Sequence, residues 1–167
     1  LQGQGSEAAR DALHGTLSTL LSPEDDVAAL NSAFLSDGVF ILCSQEVASV
    51  VQVLHLSSEG VFHAPRILVV AKPHAKLRFI ETHVGSGASL AVPVTEVFVD
   101  EGAQVEHTKI QSESVHAYHL AVTQVEQRRS SRYVSNLFHF GGKIVRNDIN
   151  VTLNGEGIEC YLNGLTA

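Results

Sequence analysis

Residues 130–165 read SSRYVSNLFHFGGKIVRNDINVTLNGEGIECYLNGL, and the reading of this stretch decides the fold. Its short apolar runs are rich in Val, Ile, Leu, Phe and Tyr, side chains that suit a pleated, half-buried strand. Polar and glycine-bearing corners such as Asn154-Gly155-Glu156-Gly157 separate the runs. Corners of this kind redirect the chain, whereas the two-residue Asn-Gly turns that join antiparallel hairpins are scarce. The pattern describes a stack of β-coils rather than a meander.

The same grammar continues upstream. Strand-like runs at 39–43, 47–56, 67–70, 77–84, 91–99, 105–110 and 115–125 precede those at 133–140, 143–153 and 158–162. They recur roughly every 10 to 16 residues, a spacing that fits both a β-sandwich and a β-helix. Corners such as Asp100-Glu101-Gly102-Ala103 favour the β-helix. Val97-Phe98-Val99 followed by Val105-Glu106-His107, and Leu120-Ala121-Val122 followed by Val134-Ser135-Asn136, suggest loose repetition without a strict period. In such a stack, inward residues lie about 4.8 Å apart and build a continuous apolar column.

Ahead of the strands the period changes. Ala9, Leu13, Leu17, Leu20 and Leu21 recur at helical spacing and predict a docking helix over 7–21. Ser22-Pro23-Glu24-Asp25 reads as the start of a second helix, with Ser22 as N-cap, Pro23 in the first position and acids where the helix dipole favours them. Val27, Leu30 and Phe34 continue its apolar face, and the helix is expected to stop near Ser36-Asp37-Gly38. The chain thus divides into a helical lead or linker at 1–36 and a β-helix core at 37–167.

Composition narrows the functional classes. With 167 residues, 44% of them hydrophobic, the chain can bury one core. A formal net charge of −7 gives no basic footprint for nucleic acid. Arg128, Arg129 and Arg132 form the only dense basic spot, read as a solvated corner beside Glu126. Cys43 and Cys160 are too few for a disulfide framework, and each reads as a small buried thiol in a protein of a reducing compartment. Asn150-Val151-Thr152 matches a glycosylation acceptor, which matters only in a secreted chain. No apolar run approaches the roughly 20 residues that span a bilayer, so no membrane partner is expected. A start at Leu1 rather than methionine suggests a processed or trimmed chain.

Several phrases resemble the SufD branch of the SufB/SufD scaffold proteins of iron–sulfur cluster assembly. The specific ones are Arg146-Asn147-Asp148-Ile149, Gly155-Glu156-Gly157, Glu159-Cys160 and Leu162-Asn163-Gly164-Leu165. Leu30-Asn31-Ser32-Ala33-Phe34 with Asp37-Gly38-Val39-Phe40-Ile41 is similar to the start of that family's β-helix, and Pro65-Arg66-Ile67-Leu68-Val69-Val70-Ala71 to a following strand. Val94-Thr95-Glu96-Val97-Phe98-Val99, the run from Ala103 to Lys109, and His119-Leu120-Ala121 resemble successive coils. The likeness runs from Asn31 to the C-terminus.

That resemblance implies a mainly β protein, a right-handed parallel β-helix, truncated, with a short N-terminal helical lead; the general rule for parallel crossovers supports the hand. It also implies a non-enzymatic scaffold that pairs with a SufB-like scaffold protein on SufC-like ABC-type ATPases, in bacterial cytoplasm or plastid stroma. An iron–sulfur cluster would pass through the complex without a resident site in this segment. In the family, a C-terminal part supplies the face toward SufB, a histidine implicated in cluster assembly and the helices that hold SufC. The sequence here stops at Ala167 before those features, so the stack is expected to be incomplete at its C-terminal end. An uncapped last coil leaves an open edge through which the chain would self-associate.

Read for chemistry of its own, the chain offers little, and no catalytic or metal-ligating residue is assigned. His116-Ala117-Tyr118-His119 is the closest histidine pair, but residues three apart on a strand face opposite ways, and both rings are expected at the surface or in corners. His107 and His139 fall in strand runs with no second ligand at short spacing. Gly85-Ser86-Gly87 lacks the third glycine of a dinucleotide cradle and reads as a corner. The family-motif residues Arg146, Asn147, Asp148, Gly155, Gly157, Asn163 and Gly164 are expected to be structural: Arg146 and Asp148 paired at a coil corner, the glycines at unusual backbone angles. Two rival readings remain open. One is a carbohydrate-active β-helix, which needs convergent carboxylates that Glu96, Asp100 and Glu106 would supply if their coils stack. The other is a purely structural, self-associating solenoid.

Overall fold

A computed structural model describes residues 7–35 and 37–167; residues 1–6 and Ser36, part of the expected helical lead, lie outside the described residues. Two helices, α1 (Glu7–Thr16) and α2 (Asp26–Ala33), come first. Then follow β1 (Gly38–Cys43), β2 (Val51–Ser57), β3 (Phe62–His63), β4 (Arg66–Ala71), β5 (Lys76–Gly85), β6 (Leu90–Ala91) and β7 (Val94–Val99). The chain closes with β8 (Gln104–Ser112), β9 (Tyr118–Arg128), β10 (Arg132–His139), β11 (Ile144–Asn154) and β12 (Glu159–Thr166).

All strand pairs are parallel, and they form two sheets. Sheet A runs β1-β4-β7-β9 with β11 beyond β9, and it takes in the short β3 and β6 against the start of β9. Sheet B runs β2-β5-β8-β10-β12. Apart from the short β3 and β6, which precede β4 and β7 in the same sheet, strands alternate between the sheets, so the chain winds as a parallel β-solenoid of five coils. Stacking in this way satisfies the backbone N–H and C=O groups of each coil by the next, and neighbouring coils sit about 4.8 Å apart.

The first four coils keep a strict period that the sequence reading missed, and the step to the last coil shortens to 26 residues in sheet A and 27 in sheet B. Gly38 pairs with Arg66, Arg66 with Val94 and Val94 with Val122, an offset of 28 residues each time. In sheet B, Val51, Phe79, His107 and Ser135 repeat the same 28-residue offset. The phrases that looked repeated in sequence, such as Val97-Phe98-Val99 and Val105-Glu106-His107, are neighbours along one coil on different sheets. The true repeat of Val97 is Val69 below it and Val125 above it.

Those valines belong to the apolar half of the interior. Val69, Val97 and Val125 face Leu77, Phe79, Val105 and Tyr133 across the coil, all buried. Burying a valine or leucine contributes about 1.5–3 kcal/mol, so this column is the main cohesion of the stack. The corners hold the column closed: Ala103 N–H donates to the Asp100 carbonyl and Ser131 N–H to the Arg128 carbonyl, the same turn in successive coils.

The helical lead differs from expectation in detail. α1 ends at Thr16, because Ser18 takes a left-handed backbone (φ 64°). Asp25 rather than Ser22 caps α2, accepting from the N–H groups of Val27 and Ala28 at 3.0 Å, while Ser22 starts the turn that precedes it. Nor do Val27, Leu30 and Phe34 form the docking face: Phe34 is exposed, and the buried residues of α2 are Ala28 and Asn31. The predicted 91–99 strand divides at Val92-Pro93 into β6 and β7, where proline withholds its ladder N–H.

Candidate functional site

The second half of the interior is polar. On β5 the inward positions are Leu77, Phe79, Glu81 and His83, and on β8 they are Val105, His107, Lys109 and Gln111. Each strand is therefore apolar where it enters the coil and polar where it leaves. Parallel register stacks these residues: His55 lies on His83, which lies on Gln111, and Glu81 lies beside Lys109. The His55 and His83 rings stack at 4.5 Å between centroids, and Phe79 stacks on His107 at 4.2 Å where the two halves meet.

Glu81 is the hub. Its Oε1 accepts from His83 Nε2 at 2.6 Å, and its Oε2 accepts from Thr95 Oγ1 at 3.0 Å and His107 Nε2 at 3.1 Å. Lys109 Nζ lies 3.1 Å from Oε1 at an angle that makes no hydrogen bond. All of these side chains are buried. Burial opposes ionisation of Glu81, but the Lys109 charge and the hydrogen bonds from His107 and His83 outweigh it and hold the carboxyl well below its ordinary value.

Because an ionised carboxylate only accepts, it sets the tautomers around it. His83 gives its Nε2 proton to Glu81, which leaves Nδ1 as a buried lone pair with no partner. His107 donates from Nε2, so its Nδ1 accepts from the Tyr133 hydroxyl at 3.1 Å. His119 donates from Nδ1 to Glu113 Oε2 at 2.7 Å and keeps a bare Nε2. Burial pushes the His83 imidazole down to about 3 and lowers His119 and His55 as well. The interior thus holds His55, His83 and His119 as neutral imidazoles beside two carboxylates and one lysine.

A second buried polar set lies outside sheet A and clamps the helical lead. Arg66 Nη1 meets Glu96 Oε1 at 3.0 Å, while Arg66 Nε and Nη2 donate to Asn31 Oδ1 at 2.8 and 2.6 Å. Asn31 Nδ2 donates to the Pro65 and Val92 carbonyls, and the backbone N–H groups of Ser18 and Leu20 donate to Glu96. Every member is satisfied, as a buried ion pair requires. This set is structural.

Neither cluster was visible in sequence as a site. His119 is buried rather than superficial, whereas His116 sits exposed in the preceding corner. Glu96, Asp100 and Glu106 do not converge: they occupy one coil, Glu96 under the helical lead, Asp100 at a corner and Glu106 exposed on sheet B. Cys43 is buried in the first coil and Cys160 half-buried in the last, both as free thiols. Arg128, Arg129 and Arg132 are exposed, with Arg128 near Asp100 and Glu126 and Arg132 paired with Glu159.

Comparison with known proteins places this architecture. The family model described as "SUF system FeS cluster assembly, SufBD core domain" matches residues 54–167, from within β2 to the end of the chain. The chain belongs to the SufBD core family. A SufBD family iron–sulfur cluster assembly protein of Synechocystis is 26% identical over 152 residues, covering 82% of this chain and 34% of that protein. The chloroplastic protein ABCI7 of Arabidopsis thaliana is 31% identical over 90 residues, covering 52% of this chain and 19% of that protein. The chain therefore spans about a third and a fifth of the length of these two relatives. No solved structure matches it at the same stringency.

Within this SufBD core, the motif residues of the last coil take varied places. Arg146 and Asp148 pair at 2.5 Å, but inside strand β11 rather than at a corner, two residues apart on one face. Asn147, pointing the other way, has no hydrogen-bond partner for either side-chain atom. Gly155 (φ 148°) and Gly157 (φ 67°) do occupy backbone that favours glycine. Gly164 does not: it is an ordinary strand residue with nothing within 4 Å of where a Cβ would be. Asn163 donates to Asn136 Oδ1 at 3.0 Å, a ladder across the exposed face of sheet B.

Proposed function

We propose that this chain is part of a non-enzymatic, SufD-like scaffold subunit of SUF-type iron–sulfur cluster assembly, working with a SufB-like scaffold protein and a SufC-like ABC-type ATPase. The observation that carries this reading is the family match itself, which falls on the stacked coils from β2 onward. The cluster is cargo of the complex on this reading. Bacterial cytoplasm or plastid stroma, both reducing, is its compartment, in keeping with a cyanobacterial relative and a chloroplastic one. No described helix is long and apolar enough to cross a membrane. An arrangement suited to polysaccharide cleavage gains no support from the acids of the third coil, which face different ways.

The last coil supports a further element of this reading. β12 pairs only with β10, and its Tyr161, Leu162 and Leu165 are exposed, so the end of sheet B offers a free edge among the described residues. A neighbouring strand, from a further coil of a longer chain, a partner scaffold or a second copy, would complete it.

Co-expression with SufB-like and SufC-like proteins of the same organism, followed by affinity purification through this chain, tests the assignment. The expected result is a stable complex containing both. A folded chain that retains neither protein would sink the scaffold reading, and one that replaces the SufB-like protein in the complex would move it to the other branch of the family.

A further inference from the structure

His55, Glu81 and His83 form a set that the scaffold reading does not use. One ring nitrogen from each histidine and one carboxylate oxygen lie within 4.8 Å of one another. We propose that these three residues form a binding site for a borderline divalent transition cation, Fe2+, Co2+ or Zn2+, inside the first two coils.

The donor set is the first reason. Two imidazoles and one carboxylate suit iron, cobalt and zinc, and three protein ligands leave one or more positions open on the ion. Four-coordinate zinc needs ligand atoms about 3.3 Å apart at bond lengths of about 2.0–2.1 Å. The observed separation therefore asks for a closure of roughly 1–1.5 Å. His55 can supply it, being half-buried on β2, the terminal strand of sheet B, while Glu81 and His83 are held rigidly behind it.

Unpaired nitrogen is the second reason. His55 Nε2 is buried without a hydrogen-bond partner, a costly state for a polar atom that a cation would relieve, and transfer of the His83 proton from Nε2 to its unpartnered Nδ1 would bare Nε2 beside Glu81 Oε1. The parallel register sets the two rings one coil apart and 17° from parallel, so the half-buried His55 ring turns on its side chain to bring its nitrogen to an ion held by Glu81 and His83.

Lys109 is the third. The acceptor positions of Glu81 are filled by His83, Thr95, His107 and Lys109, of which Lys109 alone makes no hydrogen bond. Its ammonium group stands where a metal cation would sit relative to Glu81, as a built-in competitor. An ion reaching the site along the open side of β2 displaces Lys109 from Oε1 and takes the two imidazoles as further ligands.

Titration of the full chain with Co2+, followed by its visible d–d absorption and by displacement with Zn2+, tests the site. The expected result is one Co2+ per chain with histidine and carboxylate coordination. His55→Ala, chosen because His55 is half-buried at the end of the stack, should weaken Co2+ at least ten-fold while the far-UV spectrum and melting remain those of a folded protein. Lys109→Met should tighten it at least ten-fold, an effect that general loosening of the fold would not produce. His116→Ala, in an exposed corner, should change nothing. Absence of the Co2+ spectrum, unchanged affinity in His55→Ala, or no tightening in Lys109→Met would each overturn the site. No partner protein enters this experiment, so its failure leaves the scaffold reading standing, and failure of the complex leaves the cation site standing.

Discussion

Arg66, Glu96 and Asn31 show how single residues decide where the lead packs. Glu96 accepts from Arg66 and from two backbone N–H groups, and removing it would strand the Arg66 charge in a buried site. Glu96→Ala is expected to cost about 3–5 kcal/mol in urea unfolding, with early loss of hydrogen-exchange protection in residues 7–33. The interior imidazoles carry a pH signature. His83 and His119 are lowered in the fold by burial, so they stay neutral there while the unfolded chain protonates them below about 6.5. Their contribution is complete above that value and is lost as pH falls toward the folded values. Stability should therefore drop between pH 6.5 and 5 by up to about 1.4 kcal/mol per pH unit for each histidine, and His83→Gln should flatten that slope. These residues were illegible in sequence for a specific reason. Alternation along β5 runs apolar-in through Leu77 and Phe79, then Glu81 and His83 continue inward while Ile80 and Val84 point out. The hydrophobic phase reverses within one strand, and a reading by apolarity turns its second half inside out.

Elements, by contrast, were largely legible. The strand runs announced by Val, Ile and Phe all form, with ends displaced by a few residues, because β-branched and aromatic side chains pack well in either sheet. The first helix was expected too long but its stripe of Ala9, Leu13, Leu17, Leu20 and Leu21 is half-buried as read, whereas the second was faced wrongly, since α2 docks through Ala28 and the polar Asn31. At the Asn154–Gly157 corner, a Cβ on Gly155 would come within 2.8 Å of the Arg129 backbone. Gly155→Ala should therefore destabilise the last coil by more than about 1 kcal/mol, seen as selective loss of exchange protection in β12. β12 also carries the free edge. A polypeptide of residues 1–167 alone should associate as concentration rises, and light scattering that shows a persistent monomer at high concentration would count against the edge as an association surface.

At the scale of the whole molecule, the 28-residue offset is the governing quantity. Deleting residues 94–121 removes one full period and brings Val122 into the place of Val94, with every inward position still inward. That variant should fold with reduced but cooperative stability, whereas deletion of residues 94–120 reverses the facing of all later strands and should give an aggregated or molten product. Circular dichroism and size-exclusion chromatography of the pair would separate the two outcomes. Partnership belongs to the same scale: a solenoid presents long sheet faces and terminal edges to neighbours, which suits a protein whose proposed work is to hold others in place.

By itself the sequence determined the class of fold and the family, because strand propensity and corner chemistry are local and the motifs of the last coil lie within short windows. Tertiary structure alone decided the interior. Residues 28 apart become neighbours only when coils stack, and that stacking sets His55 on His83 and Lys109 against Glu81, while docking of α2 on sheet A sets Asn31 against Arg66. No local pattern marks such contacts, since each is made between residues whose separation in the chain is a property of the coil and whose partners a strand-by-strand reading never brings together.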